Sequence, residues 1–366
     1  MTLTILADDL TGACDTGSLF AGKGSVPVSI WPARPPGAPV RVLDTETRTT
    51  TASAARERVR SAARAAPAPA YFKKIDSTLR GRIGAEVEAL LEATGAPSAL
   101  LAPAFPSQRR AVVDRVLLVD GRPVADTAIA RDPDFPALPA GSSSSVVALI
   151  RPQLQRPLAW IPLAQVRAGS MPLAARLQRL AGMIVVADAE TDEDLEALVD
   201  GAFEVEPAPL LVGSAGLGRA LARRLGVLVE HVGLPAGCRW LVVVGSLHPA
   251  SREQAERARG AGLSVVASAG ERRANPTDVA RGLAEDAARR LAADRFDLVA
   301  VTGGETALAL CRALGADTIE LAGPPMPGLA LGRLPSRLGR DLWIVTKAGG
   351  FGPPDLFVSL AERAAT

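Results

Sequence analysis

The chain of 366 residues is 48% hydrophobic and 22% charged, which supplies apolar side chains for two α/β cores and excludes wholesale disorder. Its 41 basic and 39 acidic residues are well mixed and leave a net charge of +2, with no long Lys/Arg block and a single Tyr for base stacking, so nucleic acid is not an expected partner. Three scattered cysteines, Cys14, Cys238 and Cys311, form no CxxC or zinc spacing and point to a reducing compartment.

Met1 to Ala7 is too short, and meets Asp8 too soon, for a signal peptide. No window approaches the roughly 20 apolar residues that span a bilayer, so a cytoplasmic protein without a membrane partner is expected. Residues 2–7 form an apolar run that stops at Asp8-Asp9, and Thr11-Gly12 opens a helix-like stretch. Strand, polar turn and helix in that order begin a doubly wound sheet. Further strands are expected at 26–31, 40–44, 70–74, 98–102, 184–187 and 209–212, with helical spacing over 51–66, 81–94, 172–181, 191–200 and 215–225. Residues 108–170 differ: Val112–Val119 and Pro123–Ile129 suggest a hairpin, a Pro-rich stretch and Ser142–Ser145 follow, and the segment reads as an excursion from the sheet.

Gly233-Leu234-Pro235-Ala236-Gly237 reads as a linker, after which a second βα series has strands at 240–244, 263–267, 298–302 and 342–346 and helices at 250–260, 277–293 and 305–314. With aromatics at 4%, the cores must come mainly from Ala, Leu and Val, which suits helix-covered parallel sheets. The expected architecture is α/β in two domains, 1–232 and 238–366, each a helix-covered, mainly parallel sheet, with the active site in the cleft between them.

Several constellations sit where such sheets place ligands, at the carboxyl ends of strands. The carboxylates of Asp8-Asp9 repel each other and need a cation, donors or water. One can act as general base while its neighbour binds a hydroxyl or a metal-bound water; the competing reading is that one Asp caps the following helix. In Lys73-Lys74-Ile75-Asp76-Ser77-Thr78-Leu79-Arg80-Gly81, strand alternation sends the two lysines to opposite faces. Ser77, Thr78 and the helix-start amides can hold an anion, and Arg80 offers a fork for a carboxylate, although an ordinary cap with surface cations fits the spacing equally well. Asp44-Thr45-Glu46-Thr47-Arg48 gives a third strand end of the same chemical character.

Glycine turns follow strands at Gly213-Ser214, Gly245-Ser246, Gly303-Gly304 and Gly349-Gly350. Glycine lets backbone N–H groups approach a phosphate, and the last three turns lie within one domain, which indicates a nucleotide site. Gly17 to Gly24 almost fits a P-loop, but Gly24 replaces the required Ser/Thr and no strand precedes it. Leu221 occupies the last glycine position of a dinucleotide fingerprint starting at Gly213, which disfavours a nicotinamide enzyme. His248, beside the Gly245-Ser246 turn, is read as a helix-start residue.

Ala7-Asp8-Asp9-Leu10-Thr11-Gly12-Ala13, Lys73 to Gly81, Thr302-Gly303-Gly304-Glu305-Thr306-Ala307 and Thr346-Lys347-Ala348-Gly349-Gly350-Phe351-Gly352 occur together and in this order. Over essentially the whole chain they resemble the four-carbon acid sugar kinases, a family that includes threonate, erythronate and 3-oxo-tetronate kinases. The resemblance implies an amino-terminal domain that binds the sugar acid and a carboxyl-terminal domain that binds ATP, with Mg2+ as the accompanying ion and a homodimer as a compatible assembly. By position, Asp8, Asp9, Arg48, Lys74, Asp76, Ser77 and Arg80 face the substrate, with Asp8, Asp9, Lys74 and Arg80 as the catalytic set. Ser246, Gly303, Gly304, Glu305, Thr306, Gly349 and Gly350 face the nucleotide, and no metal ligand is assigned. Pro103-Ala104-Phe105-Pro106 matches the family but lacks the usual Gly-Arg after it, and the middle of the chain is shorter than in typical members. Both departures bear on substrate choice.

The mechanism so implied is in-line transfer of the ATP γ-phosphoryl group to a terminal hydroxyl. Asp9 or Asp8 orients or deprotonates that hydroxyl, Arg80 and Arg48 hold the acid's carboxylate, Lys74 stabilises developing charge, Mg2+ bridges phosphates and domain closure excludes water. The competing readings are a phosphosugar-processing enzyme of another class and a non-catalytic sensor of sugar acid and nucleotide.

Overall fold

A computed structural model of the chain describes residues 2–136, 144–246, 248–268 and 275–365; Ser142 and Ser143 of the serine run lie outside them. β1 (Leu3–Ala7), buried along its whole length as an inner parallel strand must be, runs into α1 (Leu10–Ser18). Then come β2 (Val26–Ile30), β3 (Val40–Asp44), α2 (Ala52–Ala65), β4 (Ala70–Lys74), α3 (Ile83–Thr94) and β5 (Ala99–Ala102). α2 starts where Thr51 caps the Ala54 amide, and it buries the stripe Ala55, Val59, Ala62 and Ala63 while its arginines stay outside. The excursion supplies β6 (Arg110–Val113), β7 (Val116–Val119), β8 (Arg122–Pro123), α4 (Val146–Ile150), β9 (Leu158–Ile161) and α5 (Leu163–Val166). After it come α6 (Ser170–Arg179), β10 (Ile184–Ala187), α7 (Asp192–Phe203), β11 (Leu210–Gly213) and α8 (Ala215–Arg224).

The second series is β12 (Trp240–Val244), α9 (Pro249–Gly260), β13 (Ser264–Ala267), α10 (Pro276–Ala293), β14 (Leu298–Thr302) and α11 (Gly304–Ala313). It closes with β15 (Thr318–Gly323), β16 (Leu329–Leu334), β17 (Leu342–Lys347) and α12 (Leu356–Ala365).

Packing divides the chain by a different rule from the single cut expected between 232 and 238. One unit holds the chain up to Asp9 and Gly37–Leu228; the other holds Leu10–Pro36 and the chain from Val229 onward. α1 and β2 belong to the second unit because α1 packs on α11, β15, β16 and β17, and β2 pairs antiparallel with β15.

In the first unit the strand order is β3–β1–β4–β11–β5–β10–β9, every pairing parallel. The register sets Ala7 opposite both Asp44 and Lys74, so three polar segments leave the sheet side by side at one end. β9, from within the excursion, is the strand beyond β10. The expected hairpin is also redrawn. Its arms are β6 and β7, turning at Asp114-Arg115, and a second turn at Asp120-Gly121 leads to the two-residue β8. All four turn residues have positive φ, from 49° to 74°, which suits the right-handed twist of the strands. Beyond Pro123 the chain coils into short 3-10 turns, since proline offers no amide to extend a ladder.

In the second unit the order is β13–β12–β14–β17–β16–β15–β2, parallel up to β17 and antiparallel beyond it. Trp240, Val242, Leu298, Leu331 and Val345 meet Leu356, Phe357 and Leu360 of α12 in its core.

Strand alternation resolves the lysine pair on β4. Lys73, fully buried, puts Nζ 2.7 Å from the equally buried Glu86 carboxylate of α3 and donates to the Lys74 carbonyl at 2.9 Å. Removing one partner strands the other charge in the core. Lys73→Met is therefore expected to lower unfolding free energy by about 3–5 kcal/mol, and Lys73→Met with Glu86→Leu by less, as read from urea denaturation. A single variant no less stable than the double would show that the pair is not what holds α3 on β4.

Candidate functional site

At the ends of β1, β3 and β4 the first unit assembles its carboxylates around two arginines. The Asp8 carbonyl accepts the amides of Thr47 (3.0 Å) and Arg48 (3.2 Å), which draws the segment after β3 across the end of β1. The Thr45 hydroxyl donates to the Ala7 carbonyl at 2.7 Å, and Arg58 donates to the Glu46 carbonyl at 2.7 Å. So held, Arg48 reaches back with its side chain. Nε donates to Asp8 Oδ2 (2.7 Å), and Nη2 to Asp8 Oδ1 (3.0 Å) and Asp9 Oδ1 (2.7 Å). Asp76 Oδ1 lies 3.8 Å away. Nη1 makes no hydrogen bond among the described residues.

Burial works against charge on Asp8, but Arg48, then Lys74 and Lys73, hold its carboxyl below the usual range. Its side chain is 2% exposed, against 16% for Asp9. Lys74 Nζ donates to the Ile75 carbonyl at 2.9 Å, and its charge acts on the Asp8 carboxylate.

The turn after β4 is built on Asp76. Its Oδ2 accepts the Thr78 amide (3.2 Å), the Thr78 hydroxyl, the Arg80 amide (3.3 Å) and Arg80 Nε (2.9 Å), while Oδ1 accepts Arg80 Nη2 (2.9 Å). Burial is again outweighed, by Arg80, Arg48 and the Thr78 hydroxyl, and the Asp76 carboxyl stays well below the usual range. Ser77 stands at the tip of this turn, which the Leu79 amide closes on the Asp76 carbonyl at 3.0 Å. Gly81 has φ +100°, and its amide donates to the Asp134 carbonyl at 3.0 Å. Arg80 Nη1 meets Asp132 at 3.1 Å, so the excursion supplies a carboxylate that sequence reasoning missed. The pairing spans 52 residues, and no local pattern announces it.

In the second unit, β12, β14 and β17 are adjacent parallel strands, and their terminal turns pack on one another. A Cβ on Gly245 would lie 1.8 Å from the Thr306 hydroxyl, one on Gly349 3.0 Å from the Ser246 hydroxyl, and one on Gly350 2.6 Å from the His248 ring. Glycine is required at 245 and 350 for that closeness. Ser246, Gly303, Thr306, Gly349 and Gly350 are thereby brought together, with Gly304 and Glu305 in the first turn of α11. Gly303, at φ +90°, starts that helix, and its amide donates to the Lys347 carbonyl at 3.0 Å. His248 caps α9 by accepting the Ala250 amide at Nδ1 (3.2 Å), as its position beside the turn predicts. Lys347 is buried, and burial pushes its amine down to about 7.

The Gly213-Ser214 junction is of another kind. The buried Ser214 hydroxyl donates to the Ala104 carbonyl at 2.6 Å and caps α8, and a Cβ on Gly213 would lie 2.6 Å from the Ala102 carbonyl. It is a packing turn of the first unit. Among the described residues no group of three or more His, Cys, Asp or Glu side chains could hold a metal ion, and no helix is long and apolar enough to cross a membrane.

A family model described as a sugar-binding N-terminal domain matches residues 3–221, and one described as a nucleotide-binding C-terminal domain matches residues 263–357. The chain is 31% identical to a D-threonate kinase of Salmonella typhimurium over 414 aligned positions, which cover 96% of each protein. It is also 31% identical to a D-erythronate kinase of Heliobacterium modesticaldum, over 96% of this chain and 94% of that one. The 414 aligned positions exceed the 366 residues of this chain, so the Salmonella relative carries internal segments that are absent here. Among solved structures, a Bordetella bronchiseptica protein described as a domain of unknown function, with bound citrate and a domain-swapped dimer, is 31% identical with a TM-score of 0.52 and covers 100% of this chain and 99% of that one.

Asp44 is 1% exposed; its Oδ1 accepts the Glu46 amide at 2.9 Å and its Oδ2 accepts no hydrogen bond among the described residues. Burial pushes its carboxyl well above the usual range; the Glu46 amide opposes this, and Asp9, Glu46 and Asp8 add to it. With the folded value above the unfolded one of about 3.9, the folded chain keeps a proton that the unfolded chain releases. Stability then falls as pH rises from about 4 through the folded value. Asp44→Asn keeps the acceptor and cannot ionise, so its Tm relative to the native chain is expected to climb from about pH 5 to about pH 8 in a thermal denaturation series. A flat difference would show that Asp44 ionises as an ordinary carboxylate.

Proposed function

Since the chain belongs to the four-carbon acid sugar kinase family, we propose that it transfers the γ-phosphoryl group of ATP to the terminal hydroxyl of a four-carbon sugar acid of the threonate or erythronate class. The observation that carries this reading is the pairing of Asp8 and Asp9 on one guanidinium at the ends of β1 and β3. Asp8, more buried and gripped by two nitrogens, fixes Arg48. Asp9, the more accessible of the two, is the general base for the hydroxyl proton.

The hydroxyl oxygen forms a bond to the γ-phosphorus while the bond to the ADP oxygen breaks, and the hydroxyl proton passes to Asp9. Arg48 Nη1 supplies a donor for the acid's carboxylate, with Arg80 oriented beside it by Asp76. Lys74 offsets the charge that develops on the transferred group. Ser77 and the helix-start amides of α3 bind polar groups of the acid. Ser246, Gly303, Gly304, Glu305, Thr306, Gly349 and Gly350 hold the nucleotide, whose phosphates sit against glycine amides and the positive end of α11. Mg2+ enters as part of the MgATP substrate, bridging its phosphates.

Asp9→Asn is expected to lower kcat by at least about 100-fold, with the KM for the sugar acid little changed. Wild-type-like turnover would remove Asp9 from the role. The acceptor is identified by ADP release over a panel of C4 to C6 sugar acids, where threonate, erythronate or 3-oxo-tetronate is expected to give the highest kcat/KM. ATP binding without ADP release on any of them would favour a sensor.

A further inference from the structure

The glycine loop that leaves β17 has its carbonyls tied inward by buried donors. Lys347, 1% exposed, donates from Nζ to the carbonyls of Ala348 (3.0 Å), Gly349 and Phe351 (2.8 Å). The Ser251 hydroxyl donates to the Gly349 carbonyl at 2.9 Å. Gln254 Nε2 reaches the carbonyls of Phe351 (2.9 Å), Gly352 (3.0 Å) and Pro353 (2.9 Å). Ser251 and Gln254, both in α9, are as buried as Lys347.

Peptide planarity turns this into a statement about the amides. In a trans peptide the C=O of one residue and the N–H of the next point in opposite directions, and the peptides of this loop are trans. With the Ala348 and Gly349 carbonyls on the buried amine, the N–H groups of Gly349 and Gly350 point away from it. Successive amides in a turn can form an anion-binding concavity, and this turn at Gly349-Gly350 lies against Ser246 and His248.

We propose that Lys347, Ser251 and Gln254 are positioning residues for a nucleotide phosphate, holding the loop carbonyls inward so that the Gly349 and Gly350 amides face the ligand. The assignment rests on the nucleotide reading of the second unit. Without these donors a peptide of the loop is free to flip, and it would then offer a carbonyl oxygen to a phosphate. The burial of Lys347 and its three carbonyl acceptors assign it to the loop rather than to direct contact with a phosphate.

The test uses Ser251→Ala, Gln254→Met and Lys347→Met in the full chain. Titration calorimetry measures MgATP and adenosine, kinetics varies each substrate in turn, and thermal denaturation reports folding. Variants that fold are expected to bind MgATP about tenfold more weakly, as for a lost hydrogen bond to a charged group. Adenosine affinity and the KM for the sugar acid are expected to stay within about twofold. Lys347→Met has the greatest risk of not folding, so Ser251→Ala and Gln254→Met decide the matter. Equal MgATP affinity in folded variants and wild type overturns the positioning role alone, as does a parallel loss of adenosine affinity. A wild-type chain that binds no MgATP overturns the nucleotide reading itself, and the proposal with it.

Discussion

Two adjacent carboxylates at the end of a buried parallel strand are tenable here because Arg48 meets both of them. Unit charges of like sign 4 Å apart cost about 4 kcal/mol at the effective dielectric of a protein margin, and burial of Asp8 adds to that. The guanidinium answers with a fork that matches carboxylate geometry, as a lysine could not. Its placement depends in turn on the sheet. The register of β1 and β3 brings Ala7 level with Asp44, and the Asp8 carbonyl then takes the Thr47 and Arg48 amides. The backbone that positions the arginine is therefore fastened to the residue whose side chain the arginine neutralises.

On the proposed reading, this acid sugar kinase uses two kinds of recognition. The first unit works with charged side chains that are prearranged by one another: Asp76 orients Arg80 and Arg48 gathers Asp8 and Asp9. The second unit works with backbone, brought close where glycine leaves room for Thr306 and His248. Side-chain forks discriminate between small polyhydroxy acids, whereas amides and helix ends suit phosphate, which needs charge more than shape.

Much of the candidate site was legible because its residues cluster in sequence. Asp8-Asp9, Lys74 to Arg80 and the glycine turns each follow a strand that its apolar run reveals. Alternation alone predicted that Lys73 and Lys74 part company, and the Lys73–Glu86 pair shows where the former goes. What stayed hidden is non-local. Asp132 meets Arg80 only through the path of the excursion, and the inward donors Ser251 and Gln254 sit 97 to 99 residues before the loop they hold. Gly213-Ser214 and Gly245-Ser246 read alike, and only packing distinguishes the buried cap from the turn that lies against Thr306 and Gly349. β15 and β16 escaped notice because the Pro/Gly-rich stretch between them resembles a loop. The Asp120-Gly121 turn, by contrast, carries a hairpin signal that the sequence displays, and it falls between the expected arms; the Asp114-Arg115 turn, which has no glycine, lay hidden inside Val112–Val119.

The membership of α1 and β2 in the second unit has a consequence for how the protein is made. β2 leaves the ribosome long before β15, its antiparallel partner, with Gly37–Leu228 of the first unit made between them. The first unit's strands can pair during synthesis while α1 and β2 wait without their own sheet. Completion of the second unit is thus a long-range closure that waits until β15 has been made. A fragment that began after Leu228 would leave β15 with a bare hydrogen-bonding edge, open to pairing with other chains.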